Sequence, residues 1–200
     1  MNGSIFSMAF TLFLLMDPIG NIPIYITILH ENKQGNKNRI ILRESFFALI
    51  IILIFTLIGN PLLEALGIQN PTLFVAGGII LFLMAIYMIF PGGSSLSERF
   101  NPDGAEPFIF PLAIPLVAGP AVLAMVMIYS SQNIQLLAVI SAIIIAWFVS
   151  TLILLLSPFI QKILSSKGVK ALERLMGLIL ILLSIQMIFN GVTKFFQNST

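Results

Sequence analysis

The stretch LLMDPIGNIPIYI, residues 14–26, decides how the N-terminal part of this chain is built. Asp17, two prolines, a glycine and an asparagine interrupt a segment that is otherwise apolar from Ile5 to Leu29. Asp-Pro is a typical helix start, because the carboxylate accepts hydrogen bonds from the free N–H groups of the next turn and proline suits the first helical position. We therefore predict two half-helices that meet at Asp17.

Composition identifies the surroundings of this segment. Of the 200 residues, 58% are hydrophobic and only 9% are charged, and the mean hydropathy is +1.05. These values exceed what a water-soluble protein needs for its core and surface, so they predict an integral membrane protein. The chain has no cysteine and a single histidine, which excludes disulfides and clustered Cys/His metal sites. It also lacks a basic patch with interleaved aromatic residues, so we expect no nucleic-acid partner.

A membrane-spanning helix needs about 20 apolar residues. That requirement predicts an all-α protein with six transmembrane helices. The predicted spans are Ile5–Leu29, Ser45–Leu66, Pro71–Phe90, Pro107–Tyr129, Ile134–Ile160 and Leu175–Val192.

The loops between these spans differ in length and charge. Short connections follow the second and fourth spans, and the longer loops, which include QKILSSKGVK at 161–170, all fall on the opposite side. Nine basic residues lie on the long-loop side and Lys194 alone lies on the other. Because basic loops remain cytoplasmic, we predict a multi-pass membrane protein with both termini outside the cytoplasm.

An internal repeat relates the two halves of the chain. The segment 78–90 matches the segment 177–189 at 8 of 13 positions, an offset of 99 residues. The same offset superimposes Ile19-Gly20 on Ala118-Gly119, so each half contains one segment rich in helix breakers. Three spans per half make the repeats inverted. We predict a single membrane domain, 1–200, with repeats at about 1–90 and 107–200 and a cytoplasmic linker at about 91–106.

The second breaker-rich segment is FPLAIPLVAGP, residues 110–120. Gly119 permits unusual dihedrals, Pro120 can open a half-helix, and Pro115 removes a further backbone hydrogen bond upstream. Exposed half-helix N-termini favour an anion, so two of them near the midplane can hold a carboxylate. The predicted substrate site contains the following residues from both breaks: Asp17, Gly20, Asn21, Pro115, Gly119 and Pro120.

The role of Asp17 has two interpretations at this point. It can face the ammonium end of a zwitterion or bind a coupling proton or sodium ion, because an ionisable residue inside a span is costly and usually marks a pathway. Alternatively, it only caps its half-helix. Asn21 can likewise present its amide to a ligand or satisfy the broken backbone. Arg43, Glu44 and Glu173 are predicted to be interfacial anchors on the basic side.

The chain lacks the residues that two classes of membrane enzyme would require. A membrane aspartyl protease needs two aspartates in the membrane core, and only Asp17 is present there. A Walker-type nucleotide-binding sequence is also missing. Secondary transport, passive conduction and a non-transporting membrane role, such as an assembly or stress-response factor, all stay open. Lipid and a small-molecule substrate are the partners that we expect, with no cofactor other than a coupling H⁺ or Na⁺.

Three motifs carry a resemblance to a known family. MDPIGNIPIY at 16–25, EPFIFPLAIPLVAGPAVLA at 106–124 and ALERLMGLILILLSIQMIFNGV at 171–192 resemble, in order, the MarC family of bacterial membrane proteins. The resemblance implies a six-span inner-membrane protein related to amino-acid exporters of the LysE type. It also implies small neutral amino acids as the substrate class. On this basis we expect a secondary transporter that exports or exchanges small zwitterions.

Overall fold

The computed structural model describes residues 4–22, 25, 37–90, 117–132 and 134–198. Within these ranges every regular element is a helix, and no strand occurs. The all-helical class that the composition predicts is therefore confirmed for the described residues. The helices, in chain order, are α1 Ile5–Met16, α2 Lys37–Leu66, α3 Asn70–Ile89, α4 Pro120–Ser131, α5 Leu136–Leu155 and α6 Ser157–Asn198.

Four of these helices contain a stretch that is long and apolar enough to cross a membrane: Asn38–Gly59, Asn70–Ile89, Leu136–Leu155 and Gly168–Gln197. Each stretch has 20 residues or more, and at 1.5 Å per residue such a helix covers the hydrocarbon core of about 30 Å. The helices α1 and α4 are also apolar but have only 12 residues each, which gives about 18 Å. The helix α1 lies within the predicted first span, and α4 begins within the predicted fourth span but ends at Ser131, two residues beyond it.

The helix bounds differ from the predicted spans at the basic side. The helix α2 begins at Lys37 rather than Ser45. The helix α5 ends at Leu155, so the prediction that the fifth span reaches Ile160 is wrong in its last turn. Residues 161–170, predicted as a loop, belong to α6. The physical reason is Pro158, which stands in the first turn of α6, where the missing N–H costs no hydrogen bond.

The helices α3 and α6 pack against each other along most of their length, and glycines set the distance. A Cβ atom added at Gly78 of α3 would lie 2.9 Å from the carbonyl oxygen of Ser184 in α6. A Cβ atom added at Gly177 of α6 would lie 3.2 Å from the carbonyl oxygen of Ala85 in α3. Small residues therefore let the two backbones approach closely, as in other membrane helix pairs.

These two contacts are related by the offset found in the sequence. Adding 99 to Gly78 and to Ala85 gives Gly177 and Ser184, so one contact becomes the other. Isoleucines repeat the pattern. The Cγ1 atom of Ile188 would lie 2.7 Å from a Cβ at Gly78, and that of its equivalent, Ile89, would lie 2.9 Å from a Cβ at Gly177. The α3–α6 contact thus has the reciprocity of a two-fold axis.

The two short connections lie at one end of the molecule. A cleft of about 360 Å³ between them is lined by Glu64 of α2, by Gln69 of the α2–α3 turn and by Ser131 at the end of α4. The last turns of α6 reach the same end, because Lys194 Nζ lies 4.4 Å from the centroid of the Phe74 ring near the start of α3. This end is called the short-loop end below.

The packing of α3 on α6 gives a first prediction. Gly78→Ala and Gly177→Ala each place a methyl group against a backbone carbonyl of the partner helix, and overpacking of this kind costs about 1–3 kcal/mol. Both variants should unfold at a lower temperature than the parent protein in detergent. Leu83→Ala is the matched control, because Leu83 also lies on α3 but is 59% exposed. Equal stability of the glycine variants and the control would contradict the close packing.

Candidate functional site

The helix α1 ends at Met16 because Asp17 adopts a left-handed conformation, with φ 41° and ψ 57°. Its N–H group still donates to the carbonyl oxygens of Phe13 and Leu14, each at 3.2 Å, and thus closes the last turn. Aspartate is one of the few residues other than glycine that tolerates this region, because its short polar side chain can bond locally. The following Pro18 has no N–H with which to extend α1.

Asp17 also caps the turn that follows. Its Oδ1 atom accepts a hydrogen bond from the backbone N–H of Gly20 at 3.1 Å, and its carbonyl oxygen accepts one from the N–H of Asn21, also at 3.1 Å. Tyr25 then donates its N–H to the carbonyl oxygen of Asn21 at 3.0 Å. Residues 18–21 thus form a turn, and helical conformation is present at Ile22 and Tyr25. The break lies at Asp17, as predicted.

Asn21 bridges the two sides of this break. Its Nδ2 group donates to the carbonyl oxygen of Met16 at 3.1 Å, and the residue is only 6% exposed. The last carbonyl groups of a helix have no partner within the helix. The side chain therefore satisfies the broken backbone, which is one of the two roles that the sequence left open.

Gly20 leaves no room for a side chain. A Cβ atom at this position would overlap the Oδ2 atom of Asp17 and the methyl group of Met88 in α3. The break is thus seated against the end of α3 that is remote from the short-loop end. A glycine is required here by contact rather than by backbone conformation.

The second break precedes α4. Gly119 is extended, with φ −61° and ψ 158°, and its carbonyl oxygen accepts from the N–H of Leu123 at 3.0 Å. Pro120 occupies the first helical position, as predicted. The residues just before the break are buried, since Val117 is 2% exposed and Ala118 is fully buried. Pro115, also predicted at the site, lies outside the described residues.

The two breaks border the same buried core. Met16, Val117 and Ala121 belong to one hydrophobic cluster, and α1 contacts α4. Because α4 has 12 residues and ends at the short-loop end, Pro120 lies about 17 Å from that end, close to the middle of a 30 Å hydrocarbon layer. Within the described residues, the structure thus joins Asp17, Gly20 and Asn21 in one hydrogen-bonded turn. The helix α1, which ends at this turn, contacts α4, which begins at Pro120.

Glu173 of α6 was missed as a neighbour of the site. Its carboxylate lies within electrostatic range of Asp17, and Lys170 and Arg174 lie within range of Glu173. The sequence indicated an interfacial anchor, because Glu173 stands at the start of the last apolar segment. Only the packing of α6 beside the first break brings the two carboxylates together.

The prediction that Glu44 is an interfacial anchor is wrong. Rather than anchoring α2 at the interface, its side chain is fully buried. Its Oε1 atom accepts from Nη2 and Nε of Arg43, each at 2.9 Å. The helical spacing of Ile41, Glu44 and Ala48, all fully buried, was the available signal, because residues three and four apart share one face. Among the described residues, no group of three or more His, Cys, Asp or Glu side chains can hold a metal ion.

Apolar helices of membrane-spanning length, with two short helices that end and begin at buried breaks, define an integral membrane protein. The chain matches the family model described as "MarC family integral membrane protein" over residues 3–196 and belongs to that family.

Its relatives are similar over almost their whole length. The chain is 45% identical to a UPF0056 membrane protein of Buchnera aphidicola subsp. Schizaphis graminum, with 97% of this chain and 98% of the relative covered. It is also 45% identical to the UPF0056 inner membrane protein YhgN of Escherichia coli K12, with 94% and 95% covered. A UPF0056 membrane protein of Chlamydia pneumoniae is 33% identical, with 92% of each chain covered. No solved structure matches the chain.

The geometry of the first break gives a second prediction. Asp17→Ala removes the acceptor for the Gly20 N–H, and loss of such a cap costs about 1 kcal/mol. Asp17→Asn keeps an acceptor oxygen, and asparagine also tolerates the left-handed conformation. Thermal unfolding should therefore show a clear loss for the alanine variant and a much smaller one for the asparagine variant. An equal loss for both would mean that the charge, and not the cap, stabilises the break.

Proposed function

We propose that this protein is a secondary transporter that exports or exchanges small neutral amino acids or similar small zwitterions. The observation that carries the proposal is the buried carboxylate of Asp17, 5% exposed, at a helix break that shares its core with a second break. Interrupted helices with paired breaks near the midplane are how many transporters form their substrate sites. A buried carboxylate in a membrane span is costly and is retained for a function.

The two breaks offer complementary chemistry to a zwitterion. The N-terminus of α4, at Pro120, carries the positive end of a helix dipole and favours the carboxylate of the substrate. The carboxylate of Asp17 favours its ammonium group or a coupling H⁺ or Na⁺. Capping occupies Oδ1, and a carboxylate retains acceptor capacity beyond one hydrogen bond.

The proposed architecture is two inverted three-helix repeats in one membrane domain, with both termini outside and the basic loops in the cytoplasm. Support comes from the reciprocal contacts of Gly78 and Gly177, which obey the 99-residue offset. Further support comes from the first residues of α2 and α5, Lys37 and Leu136, which differ by the same offset. The location that we propose, the bacterial inner membrane, agrees with the name of the Escherichia coli relative. The linker at 91–106 lies outside the described residues.

One observation favours a different function. The hydrogen bonds of Asp17 and Asn21 satisfy the broken backbone, as they would in a non-transporting assembly or stress-response factor whose breaks are only structural. Such a scaffold has no ligand, so small amino acids would leave its thermal stability unchanged, whereas a transporter is stabilised by ligand binding. An enzymatic role is not part of the proposal.

Reconstitution tests the transport function. Proteoliposomes should exchange or export radiolabelled glycine, alanine, serine or threonine, in a saturable manner that responds to an imposed proton or sodium gradient. Asp17→Asn should lower the rate by about tenfold or more, because a hydrogen bond to a charged group contributes about 1.5–3 kcal/mol. Since this variant keeps the cap, the loss would not come from unfolding.

The control is Thr11→Val, which alters a hydroxyl group of α1 that already donates to the carbonyl oxygen of Ser7 at 2.9 Å. It should transport at a rate close to that of the parent. Absence of transport for the whole panel would refute the proposed function. Transport that neither saturates nor responds to a gradient would indicate a passive pore.

A further inference from the structure

A second group of buried polar side chains lies beside the first break. We call it the polar layer and define it as Tyr25, Glu44, Ser45, Ser150 and Thr151. All five residues are 5% exposed or less, and Tyr25, Glu44 and Ser45 are fully buried. Buried polar groups are costly in any protein, and more so at membrane depth. The layer therefore needs an explanation that packing alone does not supply.

Two hydrogen bonds and one electrostatic interaction link the elements of the layer. Trp147 of α5 donates its Nε1–H to the carbonyl oxygen of Ser45 in α2 at 2.7 Å. One turn further along α5, Ser150 lies 3.5 Å from the sulfur atom of Met16, the last residue of α1. The carboxylate of Glu44 acts electrostatically on Tyr25, which follows the first break. The end of α1, α2 and α5 thus meet at one level.

Two hydroxyl groups of the layer are unsatisfied. Within the described part of the chain, neither Ser45 Oγ nor Thr151 Oγ1 has a hydrogen-bond partner, although both are buried. Outside the layer, the buried hydroxyls of Thr56 and Ser184 have partners: Thr56 donates to the carbonyl oxygen of Ile52 and Ser184 donates to that of Ile181, each at 2.7 Å. Ser157, at the start of α6, has a third unpaired buried hydroxyl. An unpaired buried hydroxyl costs about 1–3 kcal/mol. Two of them in a layer that also contains the buried carboxylate of Glu44 indicate a bound polar ligand.

Packing does not require polar residues at these positions. By the 99-residue offset, Glu44 corresponds to Ile143 and Thr151 corresponds to Ile52. Both isoleucines are fully buried. The same helices thus accommodate isoleucine at one pair of equivalent positions and a carboxylate and a hydroxyl at the other. The need to fill space therefore does not explain why polar residues occupy the layer.

We propose that the polar layer binds a small monovalent cation, either Na⁺ or the ammonium group of the transported zwitterion. The oxygen donors are the carboxylate of Glu44 and the hydroxyls of Ser45 and Thr151. Carboxylate and hydroxyl oxygens suit a hard cation, and midplane sites in transporters bind coupling ions through oxygen atoms. Arg43 neutralises Glu44 through Oε1. The negative charge that the cation balances therefore comes from Asp17, which follows Met16, the residue that Ser150 of the layer contacts.

This inference rests on the proposed transport function for its role, but cation binding is measured without transport. Purified protein is unfolded thermally in NaCl, in methylammonium chloride and in N-methyl-D-glucamine chloride at equal ionic strength. Ligand binding to the folded state raises the unfolding temperature with concentration. We expect Na⁺ or methylammonium, but not the bulky cation, to stabilise the parent protein. Stabilisation by Na⁺ would identify a sodium site, and stabilisation by methylammonium would identify a site for the ammonium group of the zwitterion.

The decisive variants are Thr151→Val and Ser45→Ala. Each removes one oxygen donor and should weaken cation binding by about tenfold or more. Each should also unfold at a higher temperature than the parent in N-methyl-D-glucamine chloride, because an unpaired buried hydroxyl is removed. Thr151→Ser, which keeps the hydroxyl, should retain cation binding. The matched control is Thr56→Val, whose hydroxyl is already paired within α2, and its cation response should equal that of the parent.

Two results would overturn the proposal: a parent protein that no cation stabilises, or cation responses of Thr151→Val and Ser45→Ala that match the parent. Failure of the transport function is separate. If the protein binds the cation through Thr151 but transports no amino acid, the proposed cation site stands and the proposed transport function is wrong. If the protein transports amino acids but Thr151→Val leaves the cation response unchanged, the transport function stands and the proposed cation site is wrong.

Discussion

The constraint on which the rest of this structure depends is that every backbone polar group at membrane depth needs a partner. A break in a span creates unpaired carbonyl and N–H groups. At the first break, side chains from the same segment form hydrogen bonds with these groups. Asp17 accepts from the Gly20 N–H and Asn21 donates to the Met16 carbonyl oxygen. The motif DPIGN therefore contains both the interruption and the groups that make it tolerable. Without those two hydrogen bonds, the N–H group of Gly20 and the carbonyl oxygen of Met16 would lack these partners.

The close α3–α6 contact holds the frame around the breaks. Met88 of α3 contacts Gly20 of the first break and also approaches Gly177 of α6. Gly77, next to Gly78 on α3, faces Ala121 and Ala124 in the first turns of α4. Both breaks are thus attached to α3. A change in how α3 packs on α6 would therefore be transmitted to both breaks.

Much of this arrangement could be predicted from sequence because it depends on local rules. Asp-Pro and Gly-Pro determine where a helix can end or begin, and the repeated glycines determine where helices can approach. Burial is different, because it depends on which face of a helix its partners cover. Glu44 stands near lysines and arginines in the sequence, and the rotation of α2 turns it inward. The missing partners of Ser45 and Thr151 are still less predictable, since they depend on three elements from distant parts of the chain.

The contacts between α3 and α6 repeat at a fixed offset, but the buried carboxylates do not. Helices α3 and α6 repeat the same contacts at an offset of 99 residues, but Asp17 corresponds to Leu116 and Glu44 corresponds to Ile143. In the inverted-repeat arrangement that we propose, a polar site confined to one member of each equivalent pair lies to one side of the axis that relates α3 to α6. A ligand held there interacts unequally with the two halves of the molecule. A ligand can shift an equilibrium between two conformations only through unequal interactions with them, and an off-axis site in a symmetric frame is a simple way to provide that difference.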